Sequence, residues 1–216
     1  MIPASVLAEK VRMLINEPNE DAVLSALSED TRKLSDTIDL LLCDAVLFVQ
    51  QNKVSGVLNP AVYAPGSSSI KNNGDGTGEI ILPADFVSLI QLHINGWERP
   101  CTRVLDANSP VAMAQSNKNT RAGVCKPVCV ASVNSKGQPV VCYYSLPIAT
   151  TPVVKSFVYE ALFDADKGLN SELSNPLVQA VVYQCAGLLY NVFERRDSAN
   201  AFMSLAMSLC SKVEKE

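Results

Sequence analysis

One amphipathic stripe constrains the fold of this chain more strongly than any other feature of its sequence. Between Leu34 and Val49, apolar residues recur three and four positions apart, and most of the polar residues fall on the opposite side. This spacing is typical of a helix that buries one face. The helix is predicted to begin near Asn19 or Ser28 and to end near Asn52. About 25 helical residues would span roughly 37 Å, a length suited to a strut in a helical bundle.

A pair of helices is predicted at the other end of the sequence. Asn175 is a candidate N-cap, and Pro176 suits the first helical position. We expect the turn at residues 194–197, with Asp197 capping the second helix. The stripes at the two ends are each apolar on one side only, so we expect them to bury each other. They comprise Leu34, Ile38, Leu41, Leu42, Ala45, Phe48 and Val49, and Val181, Cys185, Leu188, Leu189, Phe202 and Leu205.

The middle of the chain predicts a loop and then strands. Residues 53–77 are rich in turn formers, among them Asn59-Pro60 and Pro65-Gly66. A loop of this length is uncommon inside a compact domain and is normally functional or disordered, so we expect a projecting arm that orders against a partner. Further along, the β-rich residues 127–133 and 139–146 flank a glycine-containing loop and predict a hairpin.

Together these patterns predict an α+β fold: a helical bundle formed from both chain ends, with a small antiparallel β insertion and a long projecting loop. We expect a single domain over residues 1–216. Within it, residues 1–52 would be helical, 53–77 the projecting loop, 78–165 the β-rich insertion and 174–213 the helical hairpin.

The sequence offers no recognisable catalytic, cofactor-binding or metal-binding motif. The one histidine, His93, stands in an apolar stretch and is interpreted as structural. Seven cysteines without a CxxC pair are interpreted as buried, reduced thiols. Because the start, Met1-Ile2-Pro3-Ala4-Ser5, also lacks the features of a signal peptide, we expect folding in the cytoplasm. No apolar stretch is long enough for a membrane span. We expect a protein that is not an enzyme and needs no cofactor or metal.

The charge balance argues against tight nucleic-acid binding. The chain has 18 Lys and Arg residues against 22 Asp and Glu, a net charge of −4, whereas non-specific binding depends on cations that neutralise phosphates. We expect any DNA near the protein to pass along a mildly acidic surface without being held by it. The mean hydropathy of +0.14 is high for a fully wet surface, so we expect neighbouring subunits to cover some apolar surface.

A few aromatic and basic residues are candidates for such contacts, since Trp and Arg are enriched at interface hot spots. Trp97 could be a core anchor or a hot spot; we favour the core and expect Arg99 and Arg103 to reach a neighbour instead. The complete set of interface candidates is Trp97, Arg99, Arg103, Arg195, Arg196 and Tyr63.

A short string and the order of the elements carry a resemblance to a known family. Ile81-Leu82-Pro83-Ala84-Asp85-Phe86 contains an L-P-x-D-F string, and strands then lead to Trp97. A short helix follows, then a hairpin ending in Cys142-Tyr143-Tyr144-Ser145-Leu146-Pro147, then Tyr159-Glu160 and the terminal helix pair. Over residues 20 to 210 the chain resembles the tail adaptor, or tail tubular protein A, of short-tailed phages and the related ring proteins of crAss-like phages.

This resemblance implies a structural virion protein at the interface between head and tail. Such proteins form a homo-oligomeric ring, commonly a dodecamer, beneath the portal protein; viral DNA passes through without sequence-specific binding, and other tail or ring proteins attach below. Subunits of a closed ring meet head to tail. Two alternatives stay open: another virion subunit, for head completion or the tail tube, and a small intracellular enzyme without recognisable motifs.

Overall fold

The structure is a computed structural model that describes residues 1–15, 28–148 and 150–211. The chain forms two compact units. The helical unit comprises Met1–Asn59 and Leu162–Glu216, and the β unit comprises Pro60–Ala161. Parts of two predicted helical segments, residues 16–27 and 212–213, lie outside the described residues.

The described residues form five α-helices, one 3-10 helix and eight strands. In chain order they are α1 (Ala4–Leu14), α2 (Ser28–Asn52), β1 (Pro60–Val62), the 3-10 helix (Ser67–Ser69), β2 (Ile70–Asn72), β3 (Gly78–Ile81), β4 (Phe86–Ile94), β5 (Val104–Leu105), α3 (Pro110–Ala114), β6 (Cys129–Val133), β7 (Pro139–Tyr143), β8 (Val154–Ala161), α4 (Pro176–Val192) and α5 (Arg196–Cys210). None of the described helices is long and apolar enough to cross a membrane.

The helical unit is built around α4, which packs against α1, α2 and α5. The predicted mutual burial of the two stripes is confirmed for most members: Ile38 and Leu42 of α2 share one core with Cys185 and Leu189 of α4. Small residues allow close approach, since a Cβ on Gly187 would lie 2.8 Å from Cγ of Met203 on α5. The prediction is wrong for Leu205, which is 46% exposed.

The start of α4 follows the sequence prediction, whereas the start of α5 does not. The Asn175 side chain accepts a hydrogen bond from the Leu177 N–H at 2.9 Å and caps α4. Helix α5 begins at Arg196, one residue before the predicted cap, so Asp197 lies in its first turn. There its carboxylate still interacts favourably with the helix dipole.

The β unit contains two sheets, and this overturns the predicted small antiparallel insertion. One sheet has the strand order β1-β8-β4, and the other has the order β2-β3-β7-β6-β5. The second sheet is mixed, because β5 pairs with β6 in parallel while its other pairs are antiparallel. The β unit is thus nearly half of the chain, with helical segments on either side of it in the sequence.

The predicted projecting loop over residues 53–77 is also wrong. This segment supplies β1 to the first sheet and β2 to the second, and Leu58 before β1 is fully buried. Just after β1, the Tyr63 N–H donates to the Phe157 carbonyl at 2.8 Å. The turn formers separate very short strands instead of forming one free arm.

Aromatic rings form the centre of the β unit. Phe157 on β8 contacts Tyr63, Phe86 and Tyr159 edge to face, with ring centroids 5.4 to 6.4 Å apart. The Tyr159 hydroxyl donates to the Asp85 carboxylate at 2.9 Å, and burial with this partner raises the pKa of Tyr159 to about 12. The L-P-x-D-F string therefore closes the aromatic core with Phe86 and fixes its polar edge with Asp85.

Candidate functional site

The β unit carries an open groove that brings together two of the predicted interface residues. Arg99 and Arg103 line a groove of about 520 Å³, and Lys126 lies on it as well. An adjoining groove of about 550 Å³ shares Val111, Lys126 and Val128 with the first. We name this surface the basic groove and define it by Arg99, Arg103, Lys126, Leu105, Val111 and Val128.

Trp97 fixes the turn that carries Arg99. Its indole is buried, and the indole N–H donates to the Tyr144 carbonyl at 3.2 Å. The turn before it needs Gly96, whose φ of +86° is rarely adopted by residues with a side chain. Trp97 is therefore a core anchor of the β unit, and it holds Arg99 at the exposed side of this turn.

The backbone next to Arg103 is fixed by a short bridge. Cys101 exchanges two backbone hydrogen bonds with Leu92 of β4, both 2.8 Å long. The buried Cys101 thiol also donates to the Arg103 carbonyl at 3.1 Å. Arg103 itself is exposed, so its guanidinium extends from a rigid backbone into solvent.

The short helix α3 contributes the apolar Val111 to the groove. Ser109 caps it, since its hydroxyl accepts from the Ala112 N–H at 3.2 Å. Ala112 is buried, whereas Val111 is 54% exposed and Met113 is 61% exposed. A helix of five residues gains little from its own hydrogen bonds, so α3 presents these apolar side chains only because its surroundings hold it in place.

Gln115 and Arg121 hold the loop behind α3. The Gln115 side chain is buried, donates to the Val111 carbonyl at 2.8 Å and accepts from the Ala122 N–H at 2.9 Å. Arg121 donates to the Gln115 carbonyl at 3.0 Å and to the Asp75 carbonyl at 3.2 Å. The hydrogen bond from Thr77 and the nearby Arg121 lower the pKa of Asp75. Arg121 thus connects the Gly-rich turn after β2 to the loop behind α3, and this turn has a structural role.

Cys101, which lines the groove, forms a pair with Cys129, and both are buried. The Cys129 thiol hydrogen-bonds to the Cys101 sulfur, and this lowers the pKa of Cys101 to about 7. The same hydrogen bond, with burial, raises the pKa of Cys129 well above its usual value. Cys101 is therefore the more acidic thiol of the pair.

The electrostatics of the groove are dominated by its cations. Arg99, Arg103 and Lys126 are all exposed. Glu98 lies beside Cys125, which lines the groove, and raises the pKa of that thiol, while Arg99 acts in the opposite direction. Three cations around apolar walls favour binding of an acidic partner that also carries an apolar side chain.

The other predicted interface residues lie elsewhere. Tyr63 is half-buried and belongs to the aromatic core of the β unit. Arg195 and Arg196 are exposed in the helical unit, where α4 gives way to α5, and the exposed Val192 and Phe193 precede them. The six candidates are therefore divided among the basic groove, the core and this helical turn.

His93 and the buried carboxylate Glu160 each have a polar partner within the β unit. Nε2 of His93 lies 3.1 Å from the Trp97 carbonyl oxygen, which makes it part of the turn that Trp97 anchors. Glu160, buried on β8, accepts a hydrogen bond from the Ser88 hydroxyl at 3.2 Å. Across the described ranges, no three His, Cys, Asp or Glu side chains are grouped to hold a metal ion.

Sequence reasoning missed Leu105, Val111, Lys126 and Val128 as parts of a shared surface. They come from β5, α3 and the approach to β6, and no local pattern links them. The one available signal was the apolar Val111 directly after Pro110, at the exposed start of a capped helix.

The sequence matches no protein-family model, and no curated protein is significantly similar to it.

Proposed function

We propose that this chain is a structural virion protein: a subunit of the ring that connects the head and the tail of a tailed phage. The resemblance in the L-P-x-D-F string and in element order supports this function. The observation that carries it is the basic groove, which is lined by apolar side chains and by three exposed cations.

The chemistry of the groove favours a ring over a symmetric dimer formed groove to groove. A two-fold axis through the groove would bring the same patch against itself, whereas a ring joins two different patches. Two copies of the basic groove would bring like charges together, which costs free energy. A partner surface of opposite charge avoids that cost and gives a head-to-tail contact, which closes when the rotation between copies allows it.

In the proposed virion the ring extends the channel of the portal protein and gives the next tail or ring protein a platform. Viral DNA passes through without sequence-specific contacts, in keeping with the net charge of −4. A tail-tube subunit is the alternative assembly, and it would stack rings into an open tube.

Mass photometry and negative-stain microscopy of the purified chain test this function. We expect a closed ring, with about twelve copies by the resemblance, that binds the portal protein of the same virus on mixing. A chain that stays monomeric or forms only a symmetric dimer would overturn the proposal. Long tubes would favour the tail-tube alternative.

A further inference from the structure

The helical unit carries a surface whose charge is opposite to that of the basic groove. On α2, Asp36, Leu40 and Asp44 are exposed at intervals of four residues, so they share one side of the helix. Leu40 is 75% exposed, although Ile38 and Leu42 on the other side are buried. We name this surface the acidic face of α2 and define it by Asp36, Asp39, Leu40, Cys43 and Asp44.

Several carboxylates lie close enough to the Cys43 thiol to affect its pKa. Partial burial and the negative charges of Asp44, Asp164 and Asp39 raise the pKa of the Cys43 thiol. Asp39 lies at the border of the face, because it lines a cavity together with Arg12 of α1. Asp36 and Asp44 are therefore the positions at which a change of charge affects the outer surface most directly.

The two surfaces match in both charge and polarity. Asp36 and Asp44 are eight residues apart, which corresponds to about 12 Å along a helix, and Leu40 lies between them. The basic groove is lined by Arg99, Arg103 and the apolar Val111. If α2 lies along the groove, Asp36 and Asp44 can form ion pairs with the guanidinium groups. The Leu40 side chain is then buried away from water, which is favourable.

We propose that the acidic face of α2 in one copy docks into the basic groove of the next copy around the ring. The occupant of the groove is thus a second copy of this chain, and the contact is head to tail. This inference rests on the proposed ring function and names its subunit interface.

Charge reversal on each surface tests the contact. The groove variant is Arg99→Glu with Arg103→Glu, and the face variant is Asp36→Lys with Asp44→Lys. Each alone brings like charges together and is expected to weaken subunit association about a hundredfold. A matched control, Lys136→Glu with Lys155→Glu, reverses two exposed charges of the β unit outside the groove and is expected to form rings like the original chain.

Complementation makes the test independent of any single variant. Mixing the groove variant with the face variant restores opposite charges at every contact, so we expect mixed rings by mass photometry. A chain carrying all four substitutions is also expected to form rings. If the original chain forms rings and the single-face variants do too, or if their mixture stays dissociated, this interface is wrong while the ring proposal stands. An original chain that forms no ring overturns both.

Discussion

The helical unit and the β unit reach stability by different routes. Aliphatic side chains from α2 and α4 dominate the first core, and within each of these helices they recur at short intervals along the sequence. The second core depends on aromatic rings from distant segments, since Tyr63 packs on Phe157 and Tyr159 almost a hundred residues later. A local repeat therefore specifies the helical unit, whereas long-range pairing specifies the β unit.

The largest expected effect lies in the aromatic core of the β unit. Phe157→Ala removes a buried ring that contacts three others and should lower the free energy of unfolding by about 3–5 kcal/mol. Guanidinium denaturation followed by Trp97 fluorescence measures it, because this is the only tryptophan and it belongs to the β unit. The control Lys155→Ala is exposed and should change stability by less than about 0.5 kcal/mol. Equal effects would show that the rings are not the core of this unit.

A similar test in the helical unit uses two neighbouring positions on α2. Leu42 is 1% exposed and Leu40 is 75% exposed. Leu42→Ala should cost about 3 kcal/mol through lost burial and a cavity, whereas Leu40→Ala should cost less than about 0.5 kcal/mol. Denaturation of the dissociated chain, followed by circular dichroism in the helical bands, gives both values, because in an assembled ring the next copy would cover Leu40. A large loss for Leu40→Ala would mean that α2 is rotated about its axis relative to the orientation described.

Two glycines of the β2–β3 turn allow the cost of a left-handed backbone to be measured separately from the cost of a steric clash. Gly76 and Gly74 both have positive φ, but only a Cβ on Gly76 would meet another atom, the Leu146 carbonyl oxygen at 2.3 Å. Gly74→Ala should cost about 1 kcal/mol for the left-handed conformation alone, and Gly76→Ala about 2–3 kcal/mol. Thermal melts of both variants decide the point, and equal losses would contradict the close approach.

The smallest effect concerns the caps of one helix in each unit. Asn175→Ala removes the cap of the long helix α4 and should cost about 1 kcal/mol, and Ser109→Ala at the short helix α3 should cost about 0.5 kcal/mol. Denaturation midpoints with an unchanged slope measure the two losses. No loss for Asn175→Ala would contradict the assigned hydrogen bond to Leu177.

The helical unit could be predicted from the sequence better than the β unit. The α2 stripe and the start of α4 at Asn175 were predicted correctly because each depends on nearby residues. Strands β1 and β2 were missed because each has three residues, and the partners of β1 lie on β8, far along the chain. The β4 strand does not alternate cleanly, since its pairing with β8 contains three register shifts.

The candidate site was predictable only in part. Arg99 and Arg103 stand out by residue type, but their meeting with Lys126 and Val111 depends on the parallel pairing of β5 with β6 and on the position of α3. No periodic pattern in the sequence predicts that these residues lie side by side. The acidic face of α2 is the unburied side of a helix that the sequence did predict. Its proposed role as a docking surface could be inferred only after the structure showed a groove of opposite charge.

Two native cysteines allow the most direct test of head-to-tail assembly. Cys43 lies on the acidic face, Cys125 lines the basic groove, and both are exposed. Both thiols have raised pKa values, so a short bifunctional maleimide should be applied at mildly alkaline pH. We predict a covalent ladder of many copies, joined by Cys43–Cys125 links in peptide mapping and lost completely in either Cys43→Ser or Cys125→Ser. Links between two Cys43 or two Cys125 residues, or a reaction that stops at a dimer, would contradict head-to-tail assembly.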